Sequence, residues 1–321
     1  LTTNQPIITS KGYINIENIS LGDMAYTHMG RYKKVINTSI ESYEGNIYSI
    51  RVNGFQEVLR ITEDTLVYVC TKRRNVNPDD NLEWIPAKKL HEGDTVIHNL
   101  GTLSEDPNDI SLAEFICNFL LFGIVDRKGR ITLNTENNTE VEKSMLHCAD
   151  MLDLKFDDYL FNNIKYLSTD DKTYINLCKN LGPRGIRIIP EEIINSSPEF
   201  LKEFIKPLIY GNKNKIANMY FRAASSVNLF MGFQRILLKL NCFSNLYKCN
   251  SRSKDFTYLA LTMNQAELER LGKMNPDAWF RNNNKIFLKV DEILIEPYIG
   301  TICSIEVEDD NSYCNHLITI R

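Results

Sequence analysis

One segment occurs twice, near the two ends of the chain. Glu41-Ser42-Tyr43-Glu44-Gly45-Asn46-Ile47-Tyr48-Ser49-Ile50-Arg51-Val52 returns as Glu296-Pro297-Tyr298-Ile299-Gly300-Thr301-Ile302-Cys303-Ser304-Ile305-Glu306-Val307, with seven of the twelve paired positions identical. Each copy sets a glycine turn before an Ile-x-x-Ile-x-Val strand pattern. A shorter echo pairs Leu21-Gly22-Asp23-Met24-Ala25 with Glu92-Gly93-Asp94-Thr95-Val96. A repeat divided in this way makes the two ends halves of one pseudo-symmetric β domain, with everything between them inserted.

A length of 321 residues allows about two domains of ordinary size. The net charge of −4 excludes a uniformly basic nucleic-acid binder but not a local basic groove. Eight cysteines are scattered without a Cys-x-x-Cys pair, which argues against a zinc site. Reduced thiols in an intracellular, cytoplasmic or nuclear compartment are expected. No signal peptide and no apolar run long enough to span a bilayer are found, so no membrane partner is expected. Leu1 and Arg321 both fall in mid-pattern, and the chain is expected to be a piece of a longer product.

From Leu1 to about Asn99 the chain reads as short strands, among them Lys34-Val35-Ile36, Ile47 to Val52 and Leu66-Val67-Tyr68-Val69, punctuated by Gly12, Gly22, Gly30, Gly45 and Gly54. From about Ser104 the texture turns helical. Ser111-Leu112-Ala113-Glu114 reads as a capping box, opening an apolar helix through Val125 with Asp126 at its C-terminal end. A strand (Gly129 to Leu133) and a helix (Val141 to about Leu154) follow. A second apolar helix opens at Ser197-Pro198-Glu199 and runs to Asn212, with Phe200, Leu201, Phe204, Ile205, Leu208 and Ile209 on one stripe. A strand (Met219 to Arg222) and a helix (Ser226 to about Leu240) come next, so the insert repeats helix, strands, helix. After about Lys285 the β texture returns.

This organisation resembles an intein: an all-β Hint splicing domain, pseudo-twofold and horseshoe-like, interrupted by an α/β two-repeat LAGLIDADG homing-endonuclease domain. Leu1 to Ile8 through Gly22-Asp23 resembles the first splicing block, short of its leading cysteine. Leu59 to Thr65 resembles the block that usually reads Thr-x-x-His. Ile302 to Tyr313 resembles the penultimate block, and Leu317 to Arg321 the last one, which normally closes with His-Asn. Phe119 to Asp126 and Phe204 to Asn212 fall where the two LAGLIDADG helices would be. The resemblance implies a Hint domain over 1–103 and 286–321 and an endonuclease domain over 104–285, with halves of about 104–190 and 191–285. It implies a monomer whose partners are flanking host-protein segments (exteins) and double-stranded DNA. Splicing would need no cofactor, and cleavage would need Mg²⁺.

The residues that would carry this chemistry depart from the family pattern. Splicing, as the resemblance implies it, opens with an acyl shift onto a thiol or hydroxyl at the first residue. Leu1 adjoins that junction but cannot serve, whereas a cysteine immediately before it would fit. Thr65 stands in place of the histidine of Thr-x-x-His, and a hydroxyl has no useful acid–base pKa near neutrality. Thr62 is retained. Ser304 stands where aspartate is common, with Cys303 beside it, and Asn311 where histidine is common. Arg321 replaces the histidine that assists cyclisation of a final asparagine. Arginine stays protonated, so it can stabilise an oxyanion but not act as a base. In the insert, Asp126 is the expected metal-binding acid, and its counterpart is Asn212, which brings a carbonyl but no charge. Pro207 is expected to perturb the second helix. Arg130, Lys213, Lys215 and Arg222 are the expected DNA contacts. Slow or lost splicing and impaired cleavage follow. Two alternatives are an inert degenerate intein, kept as a folded insertion or DNA-binding module, and a homing endonuclease with a vestigial Hint domain.

Overall fold

A computed structural model describes all residues except 54–57, 71–80, 105–108, 184, 211–218, 225, 243, 251–256, 265–278 and 283, with backbone alone over parts of 210–282. Eight strands come first: β1 (Pro6–Thr9), β2 (Gly12–Asn15), β3 (Met24–Tyr26), β4 (Tyr32–Val52), β5 (Leu59–Thr62), β6 (Leu66–Cys70), β7 (Leu82–Pro86) and β8 (Thr95–Asn99). The middle holds α1 (Ser111–Phe122), β9 (Gly123–Val125), β10 (Ile131–Asn134), α2 (Thr139–Met151), β11 (Asp157–Phe161), β12 (Ile164–Thr169), α3 (Lys172–Asn180), α4 (Glu191–Ile194), α5 (Pro198–Tyr210), β13 (Met219–Ala224), α6 (Val227–Lys239), β14 (Ser244–Asn250) and β15 (Thr257–Asn264). The last strands are β16 (Trp279–Asn282), β17 (Lys285–Val307), β18 (Tyr313–Cys314) and β19 (Thr319–Ile320). None of the described helices is long and apolar enough to cross a membrane.

The chain divides into two compact units. Leu1–Thr102 and Gly272–Arg321 make the first, and Leu103–Leu271 the second. The first unit is a sheet ordered β18-β19-β6-β8-β17-β4-β3-β1-β2, with β16 on β17, β5 on β4 and β7 on β6. Its central pair is β4 with β17, antiparallel from Val52 opposite Val290 to Val35 opposite Val307. Ile47, Ile50, Val35, Val307 and Leu288 are buried along it. The repeat read in the sequence is therefore two strands paired with each other.

Gly45 and Gly300 do not make turns. Both lie inside the long strands, where Tyr43 faces Gly300 and Gly45 faces Tyr298, so a local twofold passes through the Glu44·Ile299 pair. Each tyrosine folds over the glycine two residues along its own strand. Tyr43 Oη donates to the Asn46 carbonyl at 3.1 Å, and Tyr298 Oη to the Thr301 carbonyl at 3.0 Å. A Cβ at Gly45 would sit 2.7 Å from the Tyr43 hydroxyl, and one at Gly300 would sit 2.5 Å from that of Tyr298. Glycine here leaves room for the ring of an aromatic side chain to lie over the strand; no positive φ calls for it.

In the second unit α1 packs against α5 and α2. Ser111 is not the N-cap. It is the first helical residue, and Asp109 caps it, accepting from the Ser111 amide at 3.0 Å and from its hydroxyl. Glu114 turns inward to His147 at 3.2 Å. The helix stops at Phe122, short of Asp126. The Arg187 guanidinium, 2% exposed, donates to the carbonyls of Phe119 (2.7 Å), Leu120 (2.9 Å) and Gly123 (2.7 Å). It also lies 4.4 Å over the Phe119 ring. A cation on the last carbonyls of a helix satisfies orphan acceptors and complements the helix dipole. A side chain at Gly123 would collide with Phe119 and Leu133, so glycine there lets the chain drop from α1 directly into β9. The helix α5 starts at Pro198, with the Ser197 hydroxyl accepting from the Phe200 amide at 3.3 Å. It continues through Pro207, because Phe204, Ile205 and Leu208 are all buried around it. Two sheets complete the unit, β11-β12-β10-β9 and β13-β15-β14.

The tyrosine–glycine contact yields a direct expectation. Gly300→Ala displaces the Tyr298 ring and its hydrogen bond, costing about 1–2 kcal/mol. Combined with Tyr298→Ala it should cost clearly less than the sum of the two single changes. Urea melts of the four proteins measure both numbers.

Candidate functional site

The turn between β5 and β6 collects most of the residues named for peptide chemistry. The Thr65 amide donates to the Thr62 carbonyl at 3.2 Å and closes the turn, and the two hydroxyls meet at 2.8 Å. On one arm the Thr2 amide donates to the Arg60 carbonyl at 3.1 Å. On the other, Leu66 and Arg321 exchange two backbone bonds of 3.1 and 2.9 Å. The backbone at Leu1–Thr2 and at Arg321 thus docks on the two arms of one turn.

Cys303 adjoins Leu1. The Leu1 nitrogen donates to the Cys303 carbonyl at 2.9 Å, and the Cys303 amide to the Leu1 carbonyl at 2.7 Å. Burial pushes the Cys303 thiol up, Glu17 adds to the rise and the Leu1 amino group opposes it. A thiol held this way is protonated and packed rather than activated. Ser304 and Asn311 are not brought here. Strand alternation turns Ser304 outward, where its hydroxyl meets that of Ser39 at 2.8 Å. Asn311 is exposed in a left-handed turn at φ 45°, a conformation asparagine tolerates, and its amide donates to the Val307 carbonyl. The buried neighbour Ser312 occupies the interior position instead.

A histidine not singled out from the sequence lies in this region. His28 sits in the β3–β4 turn, and Ser312 Oγ meets its Nδ1 at 2.7 Å and accepts from its amide at 3.2 Å. Its carbonyl accepts from Asn99 Nδ2 at 3.2 Å. The rings of Tyr68 and Trp84 meet the imidazole edge-on at 5.7 and 5.5 Å. Asp310 ties the same turn, accepting from the Thr27 hydroxyl (2.6 Å) and from Arg31 at Nε (3.0 Å) and Nη2 (2.5 Å). These bonds, Arg31 foremost, hold its carboxyl below the usual range despite burial. The signal available in the sequence was a histidine inside the turn Thr27-His28-Met29-Gly30, which no matched block includes.

In the second unit, Asp126 follows β9 instead of ending α1. Burial opposes ionisation, but the amides of Arg130 (2.9 Å) and Lys128 (2.8 Å) and the Arg130 guanidinium (3.2 Å) bond its carboxylate and hold it below the usual range. The carboxylate is spent on closing the β9–β10 turn, beside cationic neighbours. Among the described residues no three His, Cys, Asp or Glu converge as a metal site. Asp126 brings one carboxylate that is already bonded by Arg130 and Lys128, and the counterpart a divalent ion would need, Asn212, lies outside the described residues. Arg130 is the described partner of Asp126. Arg222 lies in β13 opposite Leu261. Asn212, Lys213 and Lys215 lie outside the described residues.

No family model matches the sequence. It is 25% identical over 135 residues to an uncharacterized protein of Methanocaldococcus jannaschii, covering 35% of this chain and 17% of that protein. This chain thus spans a minor part of the curated relative it matches. Solved structures similar to about half of the chain are homing endonucleases. I-DmoI in complex with DNA and Ca has 14% identity and a TM-score of 0.38, covering 53% of this chain and 96% of that one. I-WcaI bound to its DNA recognition sequence has 15% identity and a TM-score of 0.33, covering 52% and 79%.

The Asp126 geometry has a testable consequence. A carboxylate whose folded pKa is depressed contributes stability that is present above its unfolded pKa, about 3.9, and is lost as pH falls through the folded value. Asp126→Ala is expected to lower stability by about 1 kcal/mol at neutral pH, with the gap to the unchanged protein narrowing below about pH 4. Millimolar Mg²⁺ should leave the Tm of both proteins unmoved.

Proposed function

We propose that the chain is an intein-derived element: the first unit is a Hint-type domain for peptide-bond rearrangement, and the second is a LAGLIDADG-type unit that binds double-stranded DNA without cleaving it through Asp126. The observation that carries this reading is the docking of Leu1–Thr2 and Arg321 on the two arms of the Thr62–Leu66 turn. A splicing domain must hold two junctions far apart in sequence within reach of one set of groups, because the gain from intramolecular attack depends on near-contact geometry. The flanking segments joined would be those preceding Leu1 and following Arg321.

The groups on this turn are modest. The Thr62 and Thr65 hydroxyls can polarise an amide, and Arg321 can stabilise an oxyanion, but none of them moves a proton near neutrality. Loss of one proton-transfer group typically removes about 10²–10⁴-fold in rate. Slow rearrangement is the consequence. For the second unit, the proposal rests on the resemblance of two apolar helices, α1 and α5, packed together with each half supplying a sheet. Its flanking host and its compartment, inside the cell with that host, are part of the same proposal.

The test is to express the chain between two reporter domains, with a cysteine before Leu1, an asparagine after Arg321 and a cysteine opening the second reporter to accept the transferred acyl group. A ligated product, or reporters released at either junction over hours to days, is the expected result on a denaturing gel. Unchanged full-length chain after that time, in a protein with a cooperative melt, would overturn the splicing part.

A further inference from the structure

We propose that His28, held by Ser312, is the proton-transfer group for the junction at Arg321. This rests on the splicing reading above and supplies what that reading lacks, since Thr65, Asn311 and Arg321 all stand where the resemblance expects a histidine.

The placement follows from strand register. Tyr313 pairs with Ile320 and Cys314 with Thr319, so the residue before Tyr313, Ser312, lies at the Arg321 end of the β18–β19 hairpin. Ile320 pairs with Val67 on the other side and Arg321 exchanges backbone bonds with Leu66, so β6 flanks the same hairpin, with Tyr68 one step further along it. His28 reaches this spot from the β3–β4 turn and bonds Ser312 through both its amide and Nδ1. Ser312 is fully buried and Asp310 nearly so, so the turn is held from one side by a hydroxyl and from the other by the Thr27–Asp310–Arg31 bonds.

The bonding fixes which nitrogen is available. A serine hydroxyl has one donor hydrogen and two acceptor positions. Ser312 Oγ can accept from the His28 amide and still either donate to an unprotonated Nδ1 or accept from Nδ1–H. Both protonation states of the ring are therefore accommodated by one partner, as a group that takes up and returns a proton requires. Nε2 has no hydrogen-bond partner among the described residues, whereas Nδ1 has Ser312. Tyr68 and Trp84 meet the ring by their edges and fix its plane.

The step would run as follows. An asparagine after Arg321 attacks its own backbone carbonyl carbon through Nδ2. A C–N bond forms in the succinimide ring, and the peptide C–N bond to the next residue breaks. The proton lost from Nδ2 passes through His28 Nε2 to the departing amine, and no oxidant or metal is needed. The charged groups facing His28 are Asp310, Arg31 and Arg321. Burial lowers its pKa, Asp310 opposes this, and Arg321 and Arg31 add to the lowering. The ring is thus mostly neutral at pH 7 and can act as the base.

The experiment uses the full chain carrying Asn and a reporter after Arg321, with reporter release followed from pH 5 to 9. The expected result is release that rises with pH to a plateau, with its midpoint below the ordinary histidine value of about 6.5. His28→Gln should slow release by roughly 100-fold or more and abolish that midpoint. His28→Ala should recover part of the rate when imidazole is added. Ser312→Ala should shift the midpoint while keeping a measurable rate. Thermal melts confirm that each variant is folded. Release by a folded His28→Gln protein at the unchanged rate and pH profile would overturn the role of His28 and leave the splicing reading standing. Absence of release from the unsubstituted chain would overturn the downstream-junction reaction itself, and this inference with it.

Discussion

The pairing of β4 with β17 is the interaction on which the first unit depends. It joins residues 35–52 to residues 290–307, and the other strands of that sheet extend outward from these two in succession. Bringing together positions separated by a flexible span of that length costs on the order of 5 kcal/mol in chain entropy. A span already folded on itself costs less. Against this stands a long antiparallel ladder in which each hydrogen bond contributes about 1 kcal/mol net, with Val35, Ile47, Ile50, Leu288 and Val307 removed from water. The balance favours closure, and closure sets Leu1 against Cys303 and Arg321 against Leu66.

The repeat that made this pairing legible also misled in detail. A duplicated Tyr-x-Gly-x-Ile reads as a turn, because glycine ordinarily marks one. Here the glycine is needed for the tyrosine that lies over it, a contact between positions two apart on one strand that a scan for turn residues does not detect. The same kind of gap explains Ser111 and Asp126. The spacing of Ser111 and Glu114 fits a capping box, but Asp109, two residues earlier, reaches the free amide first. The helix expected to run to Asp126 ends at Phe122, where Gly123 turns the chain into β9 and Arg187, sixty-odd residues away in sequence, takes the last carbonyls. Local pattern locates the elements well. Their ends are decided by side chains arriving from elsewhere.

The candidate site shows the same division. The resemblance points to Thr62, Thr65, Leu1, Cys303 and Arg321, and in the sheet Leu1 lies against Cys303 and Arg321 against the Thr62–Leu66 turn. Ser304 and Asn311 came from the same blocks and point away, since strand alternation and a left-handed turn send them outward. His28 could not be found that way. It belongs to none of the matched blocks, and only the hairpin register that puts Ser312 beside Arg321 connects it to the others. Where the residues that a resemblance expects are replaced, buried hydroxyls and their partners are a better guide than aligned positions.

The central claim is that the two distant segments form one cooperative body. Native-state hydrogen exchange tests it most directly, by comparing the amides of Ser49 in β4 and Leu294 in β17, which pair in the ladder next to Ile293, whose own amide turns away to Glu92. The account predicts equal opening free energies for the two and an equal dependence on denaturant, rising together to the global stability of the first unit. Opening of β17 at a much lower free energy, with β4 still protected, would contradict it.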